Sequence, residues 1–252
     1  MTTFRPKLWT GVSAAILLAA AAGCSGETGE AGDTSAAANT PAAAAGEGGE
    51  GGAEGGPGAG EAGAQSAYVS VPAESRLALR LAHLKGFLLV AQKQPEGAEA
   101  AAALVGQGMA EVFDAQPDAF RAGGVNEAVL RRAAETGSAT DLNAAVATIE
   151  AAQAKAGGDP AAITKGLVNI ATGLYSGVIV EGGVDTIEYQ HSYGAALAAK
   201  QVADKSNDPR IAAAKADLDK LIALWPAAVA PEKPTPVGQV SAQASRVELA
   251  LS

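Results

Sequence analysis

From Tyr68 to the C-terminus, apolar side chains return every third or fourth residue and nowhere alternate with polar ones for long. That spacing is the period of an α-helix, whereas a half-buried strand shows every second residue to the core. It restricts this part of the chain to an all-α fold. Leu77, Leu81, Leu84 and Leu88 make one stripe, with Pro72 in its first turn, and Ala102, Val105, Met109 and Val112 make the next, after Pro95. Gly123-Gly124 precedes a short segment with Val129 and Leu130. Thr140 is placed to cap a helix carrying Leu142, Val146 and Ile149, which ends at Gly157-Gly158. Asp159-Pro160 and Asp208-Pro209 are start signals, a capping carboxylate followed by proline at the first helical position. Their stripes are Ile163, Leu167, Ile170, Leu174 and Ile211, Leu218, Leu221, Trp225. Between them, after Gly182-Gly183, run Val184, Ile187, His191, Ala195, Ala198 and Val202. Val178-Ile179-Val180 is the best strand candidate, and it is short.

Abundant alanine favours helix, and small side chains let helix axes approach closely. With aromatic residues only 4% of the chain, the expected architecture is an up-and-down helical bundle of about six or seven helices, with little room for a large planar cofactor. The bundle proper is expected over 67–225, followed by a proline-rich linker at 226–236 and a C-terminal helix at 237–252 carrying Val240, Ala244, Val247 and Leu251.

The first 66 residues read differently. Arg5 and Lys7 precede an apolar run from Val12 to Ala22 that only Ser13 interrupts. The run is shorter than the roughly 20 residues a membrane span needs, and suits a signal peptide over 1–23. Ala21-Ala22-Gly23-Cys24 resembles a lipobox, with Ala21 in the place usually held by leucine. That resemblance implies a diacylated Cys24 at the mature N-terminus, and Cys24 is the single cysteine, so no internal disulfide competes for it. Paired acyl chains anchor stably where one chain does not. In a diderm host, Ser25 after the cysteine implies the outer membrane, facing the periplasm. Residues 24–66, lipidated cysteine included, lack aromatic and basic side chains and carry seven acidic ones. Such a segment cannot bury enough apolar area to order itself. It is expected to be a disordered tether, with a root-mean-square span of about 35 Å for a Gly-rich coil. Removing Arg5 and Lys7 with the signal takes the net charge from −9 to −11. A chain this acidic, without a basic stripe, does not suit nucleic-acid binding.

Candidate chemistry gathers around Glu188-Tyr189-Gln190-His191. At 100° per residue His191 lies near the centre of its apolar stripe, and Glu188 about 60° away. A Glu and a His at i and i+3 can reach one metal ion, half of a di-iron carboxylate site. They can equally satisfy each other or a backbone group inside the bundle. His83, beside Phe87 and Val90, joins them as a candidate ligand should it face His191. Tyr189, Tyr193 and Leu197 lie on the opposite side of the same helix, which is then either central or covered by a partner. H-E-x-x-H, G-x-S-x-G and G-x-x-x-x-G-K-[ST] motifs are absent from the sequence.

Leu81-Ala-His-Leu-Lys-Gly86, Glu188-Tyr-Gln-His-Ser-Tyr-Gly194 and Ser245-Arg-Val-Glu-Leu-Ala250 resemble recurring segments of an uncharacterised family of helical bacterial envelope lipoproteins. The plan of a lipidated Ala-rich bundle is also distantly similar to imelysin-like iron-uptake proteins, whose G-x-H-x-x-E motif this chain lacks. The resemblance implies an envelope protein and carries no activity with it. The expected function is therefore a lipid-anchored helical domain that binds a metal ion or small ligand without catalysis. The alternative is a structural or interaction module that meets an envelope protein. Cofactor identity is left open.

Overall fold

A computed structural model describes residues 59–252, with side chains from Ala64 onward. Cys24, the signal segment and most of the expected tether lie outside the described residues. Helix α1 (Ala59–Ser70) begins inside the stretch assigned to the tether, and buries Ala64, Ala67 and Tyr68. A single 3-10 turn leads into α2 (Arg76–Ala91), so Pro72 precedes the helix rather than opening it. α3 (Ala98–Gly108) runs on into one π-helical turn, Met109–Phe113, and α4 (Pro117–Ala122), α5 (Glu127–Thr136) and α6 (Ala139–Ala156) follow. Then come α7 (Pro160–Tyr175), α8 (Thr186–Lys205), α9 (Pro209–Ile222) and α10 (Val237–Ala250). The fold is an all-α helical bundle. Ten helices form among the described residues, more than the expected six or seven, because α1 is added and the segment 98–136 is cut into α3, α4 and α5.

Local chemistry explains most boundaries. The side chains of Asp159, Asp185 and Asp208 each accept a backbone N–H at the start of α7, α8 and α9. Ser138, not Thr140, caps α6: its Oγ accepts from the Asp141 N–H, and the hydroxyls of Ser138 and Thr136 donate back to the Asp141 carboxylate. The strand candidate is realised as β1 (Ile179–Val180) paired antiparallel with β2 (Gly183–Val184), with Gly182 at φ +89° in the turn.

α2 is the axis of the core. It packs against α1, α3, α6, α7 and α8, and every residue from Ala78 to Ala91 is buried. Burying each of its leucines is worth about 1.5–3 kcal/mol. A helix covered on all sides should be apolar all round; this one also buries Arg80, His83 and Lys85. α2 and α8 touch at Gly86 and Gly194. A Cβ at Gly194 would stand 2.8 Å from the Gly86 carbonyl carbon and oxygen, so the two backbones meet directly.

The proline-rich stretch is no free linker. From Trp225 to Pro236 it forms a strap over the core. Tyr189 donates its hydroxyl hydrogen to the Ala227 carbonyl (3.0 Å), and Tyr175 donates to that of Thr235 (2.9 Å). Trp225 meets the Tyr175 ring edge-on and lies parallel to that of Tyr193. α10 then returns against α9 and α7 as part of the same bundle. No described helix is long and apolar enough to cross a membrane.

Candidate functional site

The strap decides the first group of expected site residues. Tyr189 is fully buried, Tyr193 is 9% exposed and Leu197 packs against the core. The sequence left this face either central or covered by a partner; the chain's own strap meets Tyr189 at Ala227 and Tyr193 at Trp225.

The histidines lie in a buried row. Tyr68 on α1 and His83 on α2 are hydrogen-bonded, hydroxyl to Nδ1, at 2.5 Å. The Phe87 ring is centred 5.4 Å from His83 and 4.6 Å from His191 on α8. Arg80 stacks its guanidinium 3.9 Å over the Tyr68 ring. His191 reaches Gln107 Oε1 through Nε2 (3.2 Å) and Glu111 Oε2 through Nδ1 (3.4 Å). Glu111 sits on the π-turn. Burial pushes His83 down to about 3, helped by the positive charges of His191 and Arg80, and pushes His191 down to about 4 against the pull of Asp185. At neutral pH both rings are therefore uncharged, and the Glu111 contact is not an ion pair. Burial also raises the Tyr68 hydroxyl well above its ordinary value, so it stays protonated and is the donor to His83.

This row does not assemble the expected metal set. Phe87 stands between the two histidines, and the Glu188 side chain runs past Gly177. Among the described residues no three His, Cys, Asp or Glu side chains converge on a point that could hold a metal. Glu188, His191 and His83 are thus not one ligand set.

The same helix carries a second buried polar group that periodicity did not single out. Lys85 follows His83 by two residues, so it leaves α2 on nearly the opposite side, about 200° round. It is only 1% exposed, yet it faces a cleft of about 330 Å³ between α2, the ends of α6 and α8, and the start of α7. Ala78, Pro160, Ile163 and Val202 supply apolar wall. Lys85 Nζ lies 3.6 Å from Glu150 Oε1, too far for a good hydrogen bond, while Lys205 Nζ holds the same oxygen at 2.7 Å. Gln201 also lines the cleft, and its buried Oε1 has no hydrogen-bond partner among the described residues. Burial pulls the Lys85 amine down to about 8, with the Lys205 charge adding to the fall and Glu150 opposing it. The amine is still mainly protonated at neutral pH. Lys205 in turn holds the Glu150 carboxyl below its usual range. The edge of the cleft is fixed by Ser75, whose Oγ accepts from the Asp159 N–H at 2.9 Å.

A second depression, of about 490 Å³, lies near Gln92, Gln94 and Asn143 and has no ionisable side chain in its lining. Ligand sites combine apolar wall with a few converging polar groups and perturbed titration. The Lys85 cleft has all three. The one sequence signal for it was a lysine in a helix otherwise apolar on that face. Compared with protein families, curated proteins and solved structures, the chain matches no family model, no curated protein and no solved structure.

Proposed function

We propose that this chain is a lipid-anchored protein of the bacterial envelope whose helical domain binds a small ligand without transforming it. One observation carries the ligand reading: a buried ammonium group, Lys85, lines an open cleft of about 330 Å³. That volume lies at the low end of the range for small-molecule sites. Binding rather than catalysis is supported by the sequence, which holds no H-E-x-x-H, G-x-S-x-G or G-x-x-x-x-G-K-[ST] motif. The Lys85 amine is mainly an ammonium at pH 7, which attracts an anionic ligand.

The envelope address rests on the sequence: the Cys24 lipobox, the short apolar run before it and the acidic tether after it. On this reading two acyl chains on Cys24 hold the protein to a membrane, in a diderm host the outer membrane facing the periplasm. The resemblance to helical envelope lipoproteins points the same way. The net charge of −9 supports a role without nucleic acid.

The test has two arms. Labelled palmitate should enter the expressed protein and should not enter Cys24→Ala, which should also leave the membrane fraction. Native mass spectrometry of protein purified from the envelope should show a bound small molecule. Ala154→Trp, an exposed substitution at the mouth of the cleft, should remove it.

A second reading, an interaction module, is supported by the hairpin. Ile179, Val180 and nearby Ile187 are exposed large apolar side chains. The candidate contact face then moves from Tyr189, Tyr193 and Leu197 to β1 and the start of α8. Val180→Asp should release any envelope protein that co-purifies, and leave ligand binding intact.

A further inference from the structure

Charge balance narrows what the cleft can hold. Lys85 and Lys205 place two ammonium groups beside one carboxylate, Glu150, leaving one positive charge in the lining. Helix ends modify this only in part. The C-termini of α6 and α8 each bring up to about half a negative charge, and the start of α7 brings about half a positive one. Lys85 is the group with unused capacity. An ammonium has three donors, and its ion-pair contact with Glu150 is at 3.6 Å. Gln201 adds a buried amide oxygen without a partner among the described residues. The rest of the wall is largely apolar: Ala78, Ala154, Pro160, Ile163 and Val202.

We infer that the Lys85 cleft takes a small organic monoanion, a carboxylate with an apolar body, and this rests on the ligand-binding reading above. The carboxylate accepts from Lys85 Nζ and from Lys205 at the rim, and its one negative charge offsets the single ammonium that Glu150 leaves unbalanced. A dianion would leave an uncompensated charge in a partly buried place, which is costly. The apolar body lies against Ile163, Val202 and Pro160. A donor on the ligand, or a water it carries, satisfies Gln201.

The experiment is calorimetric titration of the full chain carrying Cys24→Ser with hexanoate, hexanamide, hexylamine and inorganic phosphate. Hexanoate should bind at least tenfold tighter than each of the others. Lengthening butanoate to hexanoate should tighten binding about fourfold per methylene until the cleft is full. Lys85→Met should weaken hexanoate at least tenfold and leave hexanamide unchanged. Lys205→Ala, at an exposed site that threatens the fold least, should weaken hexanoate several-fold. Equal binding of hexanoate and hexanamide would overturn the anion assignment and leave the ligand-binding reading standing. Tighter binding of phosphate or hexylamine would overturn the charge argument. Failure of all four probes would overturn the inference. If envelope-purified protein also carried no bound molecule, the ligand-binding reading would fall with it.

Discussion

Two sides of one helix handle buried polar groups in opposite ways. On one side of α2, His83 packs tilted against Phe87, bonded to Tyr68 and kept neutral. On the other, two residues later, Lys85 keeps its charge and lines an open cleft. The first arrangement fills its space with rings. The second leaves space and has a charged group to spare. Burial alone therefore does not mark a site; burial beside an unfilled volume does.

The largest expected difference between the two sides appears on acidification. His83 and His191 titrate lower in the folded protein than in the unfolded chain, so the unfolded state binds more protons below the ordinary histidine value. Their contribution is intact above about pH 6.5 and is lost as pH falls toward 4. Between pH 6.5 and 5 the two rings should remove up to about 4 kcal/mol of stability, at about 1.4 kcal/mol per group per pH unit. Urea unfolding at both pH values measures this, and His191→Gln should halve the slope. A flat profile would mean that the row is wet, and the contrast with the cleft would disappear.

Next in size is the crossing that holds both sides in place. Gly194→Ala drives a methyl into the Gly86 backbone, which has no rotamer with which to yield. It should cost about 3 kcal/mol in chemical denaturation. The smallest effect belongs to the row's outer member. Tyr68→Phe keeps the ring under Arg80 but leaves His83 Nδ1 buried and unpaired, at about 1–2 kcal/mol in the same assay. Ligand binding in the cleft should not change in this variant.

The sequence made α7 and α9 readable because an aspartate cap and a proline act within one turn. Its short strand candidate, 178–180, contains β1, but the pairing with β2 was not read from it. It missed the partition of 98–136, where α3 loosens into a π-turn, and it gave the cap of α6 to Thr140 instead of Ser138. The cap is a contest between neighbouring hydroxyl residues of similar capping strength. The candidate site was legible only in pieces. His191 was placed correctly on a buried face, but its partners Gln107 and Glu111 lie about 80 residues away in the chain. Tyr189 and Tyr193 read as a possible contact face because the strap that covers them is distant in sequence and has no period. The Lys85 cleft is built from four helices and is a property of none of them alone.

Lys85 is held either for a ligand or for the fold, and the two differ in energy. Its amine titrates at about 8 instead of its ordinary 10.5, so burying the charge costs roughly 3 kcal/mol below pH 8. That cost fades as pH rises toward 10.5, where both folded and unfolded forms become neutral. Glu150 keeps Lys205 when Lys85 is removed. The deciding measurement is Lys85→Met at pH 7, read by urea midpoint and by hexanoate titration on the same preparation. The expected variant is more stable by about 2–3 kcal/mol and binds hexanoate at least tenfold more weakly. A less stable variant with unchanged binding would show Lys85 to be a structural cation, and would contradict the assignment of the cleft.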